Sequence, residues 1–222
     1  MLKHLQRDID ALKEKIIAMS SIVEDRVYLA TMSVLNRDAR LAQSVIDGDT
    51  EVDQMEVDIE ESCLKILALF QPVAVDLRFI VAVLKINNDL ERIGDLAVNI
   101  AERSAYLAEQ DKIDFPFDLS EMAKKVEKMV SGSMDALVNL DVRQAHWIRS
   151  LDDEIDAFNR EMYTHIKEEI PKKPELIGSM LHVLSIGRHL ERIADHATNI
   201  AEDVIYLVDA DIVRHRPEVY EE

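Results

Sequence analysis

Four pairs of acids spaced four residues apart are the side chains in this sequence best suited to chemistry: Asp49/Asp53, Glu91/Asp95, Asp152/Asp156 and Glu191/Asp195. On a helix, positions four apart lie within about 40° of one another and about 6 Å apart along the axis, so each pair presents two carboxylates on one face. Like charges held together are costly unless they are protonated or neutralised by cations. An oxygen-rich set without thiolates suits Mg²⁺, Ca²⁺, Mn²⁺ or a multinuclear carboxylate iron or zinc centre. The competing reading is a solvated acidic stripe, structured by ion pairs to Arg92 and Arg192. No nucleophile–base constellation, Gly-rich phosphate loop or Glu-x-x-His pair occurs in the sequence, which counts against hydrolases, NTPases and ferritin-like oxidases.

The acids belong to a duplicated chain. Leu90-Glu-Arg-Ile-Gly-Asp-Leu-Ala-Val-Asn-Ile-Ala-Glu102 returns as Leu190-Glu-Arg-Ile-Ala-Asp-His-Ala-Thr-Asn-Ile-Ala-Glu202, with 10 of 13 positions identical at an offset of 100. Upstream the offset is 103, so that Asp38, Arg40, Ala42, Asp49, Glu51 and Asp53 recur as Asp141, Arg143, Ala145, Asp152, Glu154 and Asp156. The difference falls in two proline-bearing loops, Gln71-Pro72-Val73-Ala74 and Pro171-Lys172-Lys173-Pro174. Core packing accounts for the apolar stripe Leu90, Ile93, Ala97, Ile100 and its copy. It does not account for the repetition of the acids, of Asn99/Asn199 or of Glu102/Glu202.

Composition sets the elements that must position these groups. Of 222 residues, 48% are hydrophobic, only 5% are aromatic, and there are 5 Gly and 5 Pro, which favours long helices over turn-rich strands. The predicted fold is all-α, two tandem three-helix bundles with helices near 3–35, 38–70 and 75–109, then 119–139, 142–169 and 175–209. Gly48 is a candidate interruption of the second helix, and Asp38 and Asp141 are candidate N-caps. The repeats are expected at 1–110 and 119–209, joined around Pro116 and followed by a charged tail at 210–222. If the second and third helices of each half form a hairpin, the first two acidic pairs come level about Pro72. The other two come level about the Lys173–Pro174 bond. Apolar residues continue each acidic stripe toward the loop, through Cys63 and Leu67 opposite Leu84 and Ile80, and through Ile166 and Ile170 opposite Leu184 and Met180.

A formal net charge of −18 argues against direct nucleic-acid binding, which needs a basic face. No apolar run reaches membrane-spanning length, and the chain opens directly into an amphipathic pattern, so a soluble cytoplasmic protein is expected. The lone Cys63 is expected as a buried reduced thiol. Trp147 is expected in the core or at a contact between helices, and His196, whose counterpart is Leu96, is expected to pack rather than to ligate.

The repeated Leu-Glu-Arg-Ile-(Gly/Ala)-Asp-x-Ala-x-Asn-Ile-Ala-Glu motif, with Gln71-Pro-Val-Ala-Val-Asp-Leu-Arg78 ahead of its first copy, closely resembles the PhoU family of phosphate-uptake regulators. The resemblance covers essentially the whole chain. It implies two tandem three-helix bundles whose E(D)xxxD motifs hold multinuclear metal clusters, often iron or zinc. Glu91, Asp95, Glu191 and Asp195 would then be ligands, faced by Asp49, Asp53, Asp152 and Asp156. It also implies a cytoplasmic adaptor, often a homodimer, that represses phosphate uptake and phosphate-starvation signalling. Its implied partners are the ATPase of a phosphate ABC transporter and a membrane sensor histidine kinase, through which alone it would meet the membrane. The second half reads Lys-Lys-Pro-Glu-Leu-Ile-Gly where the first has its Gln-Pro segment, so any role of Asp76 or Arg78 is confined to one half. A carboxylate-bridged iron oxidoreductase and a metal-free helical scaffold remain as alternatives.

Overall fold

The computed structural model describes residues 2–111, 118–211 and 213. Most of the expected joining segment and most of the charged tail lie outside them. Among the described residues there is no strand, and no helix is long and apolar enough to cross a membrane. The first repeat contains α1 (Leu2–Asn36), α2 (Ala39–Asp47), α3 (Asp49–Phe70) and α4 (Ala74–Ala108). The second contains α5 (Leu119–Asn139), α6 (Val142–Ser150), α7 (Asp152–Glu169) and α8 (Ile177–Asp209), the last entered through a 3₁₀ turn at Pro174–Leu176.

The helix expected over 38–70 is therefore two, and so is the one expected over 142–169. The break at Gly48 is held by Arg26, whose guanidinium donates to the carbonyls of Ser44 (3.1 Å) and Gly48 (3.3 Å). That guanidinium occupies the space a Cβ at Gly48 would need. Leu151 makes the same break in the second repeat with an ordinary right-handed backbone, so glycine is not its cause. Each break puts acids in the first turn of the next helix, Asp49 and Glu51, then Asp152, Asp153 and Glu154. There they complement the positive end of the helix dipole.

Local signals recur with the sequence. Arg37 and Leu140 both take left-handed backbone (φ 54° and 52°). Asp38 then accepts the amides of Arg40 and Leu41, and Asp141 accepts those of Arg143 and Gln144. These aspartates satisfy donors that a helix start leaves unpaired.

One contiguous core runs through both repeats. α4 and α8 are its centre and lie antiparallel along each other. Lys85 pairs with Asp203 (3.0 Å), His196 with Asp89 (2.8 Å), Arg103 donates to Ser185 (3.3 Å), and Tyr106 stacks on His182 (4.0 Å between centroids). Lys85 and Ser185 are copies of one another, as are Arg103 and Asp203. The two repeats therefore meet about a pseudo-twofold axis, the same two positions being bridged twice with different chemistry.

Candidate metal centre

Tight approach between α3 and α4 sets the first acidic cluster. A Cβ on Gly94 would stand 3.3 Å from Cγ1 of Val52, which places the turn carrying Asp49 and Asp53 against the turn carrying Glu91 and Asp95. Below it toward the loop, Asn87 Nδ2 donates to the carbonyl of Glu56 (2.9 Å). Cys63 and Ile80 close the crevice with fully buried apolar groups, as the stripe implied. Burial holds the Cys63 thiol neutral, with its pKa pushed up to about 12. In the second repeat Thr198 Oγ1 donates to Asp152 Oδ1 (3.4 Å), and Met162 fills the space beside Gly187. All eight sequence-identified acids thus lie in two crevices, Asp49, Asp53, Glu91 and Asp95 in one and Asp152, Asp156, Glu191 and Asp195 in the other.

Electrostatics shows the crowding. The Asp49 carboxyl is raised above its ordinary range by desolvation, then by the charges of Asp53 and Asp95. Glu91 is raised by desolvation, then by Asp95, with Glu56 and Asp53 adding to it. Asp152 is raised by desolvation and Asp156, and Glu191 by desolvation and Asp156. Asp195 is pushed up to about 6 by desolvation and by Glu191, Asp152 and Asp156. Charges on the facing helix contribute to the shifts of Asp49, Glu91, Glu191 and Asp195, whereas the charges acting on Asp152 lie on its own helix.

Do these residues fit a metal? The donors are hard oxygens, and beside them Asn87 Oδ1 is buried without a partner, an acceptor of the kind a cation satisfies, whereas Glu91 Oε2 is ion-paired to Arg92. Among the described residues no three His, Cys, Asp or Glu groups converge as they stand. Mutual repulsion gives the physical reason: without a counter-charge, like carboxylates separate. Arg92 partly supplies that charge in the first crevice, at 3.4 Å from Glu91 and 3.2 Å from Asp95. By donor chemistry and by the unpartnered Asn87 oxygen the set fits a hard or borderline cation. Glu91, Asp95 and their facing aspartates would hold it, with Glu191, Asp195 and theirs in the second crevice. Such a cation would supply charge neutralisation between two helices.

Leu at Gly94 would wedge the crevice open. Gly94→Leu is expected to destabilise by about 1–3 kcal/mol through overpacking against the stiff Val52, read by urea denaturation. An unchanged midpoint would mean that the helices are not held at this level.

The structure places three residues more specifically than the sequence did. Trp147 takes the second of its two expected places, a contact between helices: it is 39% exposed, with the Lys128 ammonium of α5 4.5 Å above its ring, because Ala145 and Ile148 take the inward face of α6. His196 reaches across to Asp89 of the other repeat. Asn199 reaches the same carboxylate at 3.4 Å, while Asn99 accepts from Arg103. This seam was missed, although complementary residue types at symmetric positions, Lys85 against Asp203 and Arg103 against Ser185, could have revealed it. Asp76 and Arg78 face neither cluster; with Ile9, Val75, Phe79 and Leu207 they line a separate groove of about 460 Å³.

The fold and these crevices define a class: an all-α chain of two pseudo-symmetric repeats, each a three-helix bundle whose middle helix is broken in two, with carboxylates between α3 and α4 and between α7 and α8. The family model of the PhoU domain matches residues 5–104 and again 119–204, and the chain belongs to the PhoU family. A phosphate-specific transport system accessory protein PhoU homolog of Aquifex aeolicus is 37% identical over 212 residues, 96% of each chain. The homolog of Pseudomonas aeruginosa is 37% identical over 213 residues, covering 94% of this chain and 86% of its own. The crystal structure of PhoU from Pseudomonas aeruginosa superimposes with a TM-score of 0.89 at 35% identity, over 93% of this chain and 99% of that one. That of the phosphate transport system regulatory protein PhoU from Streptococcus pneumoniae gives 0.83 at 27% identity, over 94% and 99%.

Proposed function

We propose that this chain is a non-enzymatic accessory regulator of a phosphate-specific transport system. It acts in the cytoplasm and represses phosphate uptake and starvation signalling by contacting the transporter ATPase and its sensor kinase, as a homodimer that carries cations in its two carboxylate crevices. The observation that carries the reading is similarity over nearly the full chain to relatives named as accessory proteins of that system. The cation part rests on the donor set and on the unpartnered Asn87 oxygen beside it. Iron and zinc come from the family resemblance, and the carboxylates alone equally suit manganese or magnesium.

The Arg92 contacts favour a second reading of the first crevice, in which Arg92, with Arg26 acting on Asp49, supplies the counter-charge and the repeats are a metal-free scaffold. Deleting the gene in its own host is expected to switch on a phosphate-starvation reporter in phosphate-rich medium, with wild-type protein restoring silence. A reporter that stays off in the deletion strain rejects the regulatory role. Rescue by Glu91→Ala/Glu191→Ala as full as by wild type, with no metal in the purified wild type, favours the scaffold.

A further inference from the structure

The two crevices are copies with different floors. In the first, Asn87 is 2% exposed. Its Nδ2 is used on the Glu56 carbonyl, while its Oδ1 is buried without a partner. Asn87 lies one helical turn before Glu91, on the same face of α4, and Glu91 Oε2 is buried without a hydrogen bond but ion-paired to Arg92 at 3.4 Å. An unpartnered amide oxygen and a carboxylate oxygen matched only by an ion pair therefore stand on adjacent turns in the crevice that contains Glu56, whose charge acts on Glu91.

In the second crevice the matching residues are Gly187 for Asn87, Asn159 for Glu56 and Met162 for Ile59. Met162 turns its thioether into the place of the missing side chain: a Cβ at Gly187 would meet its Cε at 1.9 Å and Sδ at 2.6 Å. The space beside position 187 is thus filled by a thioether, whereas its counterpart carries an amide. An apolar side chain at position 87 would pack as Met162 does. A buried acceptor left unpaired forfeits its hydration without return, so Asn87 needs a positive or donating partner to justify its amide.

Resting on the cation-binding reading above, we infer that the two crevices are unequal sites. The first takes Glu56 and Asn87 Oδ1 as further donors and binds a hard, oxygen-preferring divalent cation more tightly than the second. The first offers five carboxylates and a neutral amide oxygen, the second four carboxylates over a thioether floor, and affinity for such cations follows ligand charge and number.

Titrating the metal-free, full-length protein with Mn²⁺ by calorimetry, with paramagnetic resonance to count bound ions, tests this. Wild type is expected to show a tighter and a looser class of site. N87L and E56Q should each weaken the tighter class about tenfold or more and leave the looser one unchanged. E191A should remove the looser class alone. Circular dichroism checks the fold of each variant, and E56Q, at a half-buried position, keeps the test open if N87L does not fold. Two equal classes in wild type, or unaltered tight binding in a folded N87L and in E56Q, would overturn the inequality while leaving cation binding intact. No Mn²⁺ uptake by wild type would overturn the cation reading with it.

Discussion

Asp195→Asn is expected to make the cation-free protein more stable than wild type at pH 7, with the difference vanishing by pH 4. The Asp195 carboxyl is pushed from its ordinary 3.8 to about 6 by desolvation and by Glu191, Asp152 and Asp156. Between those values the folded state binds a proton that the unfolded state does not, so stability from this group falls as pH rises through 6 and returns as pH drops toward 4. Such a shift sets a ceiling of about 3 kcal/mol. Asp195 is itself exposed, and solvent screening brings the expected gain down to about 1 kcal/mol. His189 runs the other way: desolvation and the charges of Arg103, Arg192 and Arg188 lower it to about 4, so between 6.5 and 4 the folded state resists a proton that the unfolded state takes. The two trends oppose each other in one window, which is why the comparison must be variant against wild type rather than one curve alone. Chemical denaturation at pH 4, 5, 6 and 7 measures it. A variant no more stable than wild type at pH 7 would show that Asp195 is not electrostatically crowded. Saturating Mn²⁺ should reverse the order at pH 7, because a ligand that binds only the folded state stabilises it and wild type retains the fuller donor set.

The isolated first repeat, residues 1–110, is expected not to fold cooperatively, while the whole chain unfolds in one transition. α4 buries residues on more than one face, Ile80, Val83, Ile86 and Leu90 among them, together with Asp89, which reaches His196 of the second repeat, and Leu96. Cutting the chain exposes that seam to water, and at roughly 25 cal/mol per Å² of apolar surface the loss takes a large share of a net stability of about 5–15 kcal/mol. Circular dichroism and calorimetry on both chains decide it. A fragment with a sharp melt like that of the whole protein, or two separate transitions in the intact chain, would mean that the repeats are independent units.

Much of this was written in local sequence. The repeat at offsets of 100 and 103 and the sparse glycine and proline gave helices and duplication, because period and capping are local properties. The eight acids fell into their two crevices because hairpin register follows from loop position, and Pro72 marks the first turn. The split of each second helix was only half legible: Gly48 was visible as a breaker, whereas no glycine or proline marks the break at Leu151.

What the sequence by itself determined was the all-α class, the two repeats, the family and the pairing of carboxylates, all of which depend on spacing along one chain. Only the tertiary structure decided how the repeats face each other: α4 against α8, with His196 on Asp89 and Lys85 on Asp203. It alone also left Asn87 with a buried, unanswered oxygen where its copy has glycine and a thioether. The reason is physical. Register within a hairpin is fixed by the loop that closes it, but contact between repeats depends on which residual faces bury best together, and that is a property of the assembled surfaces.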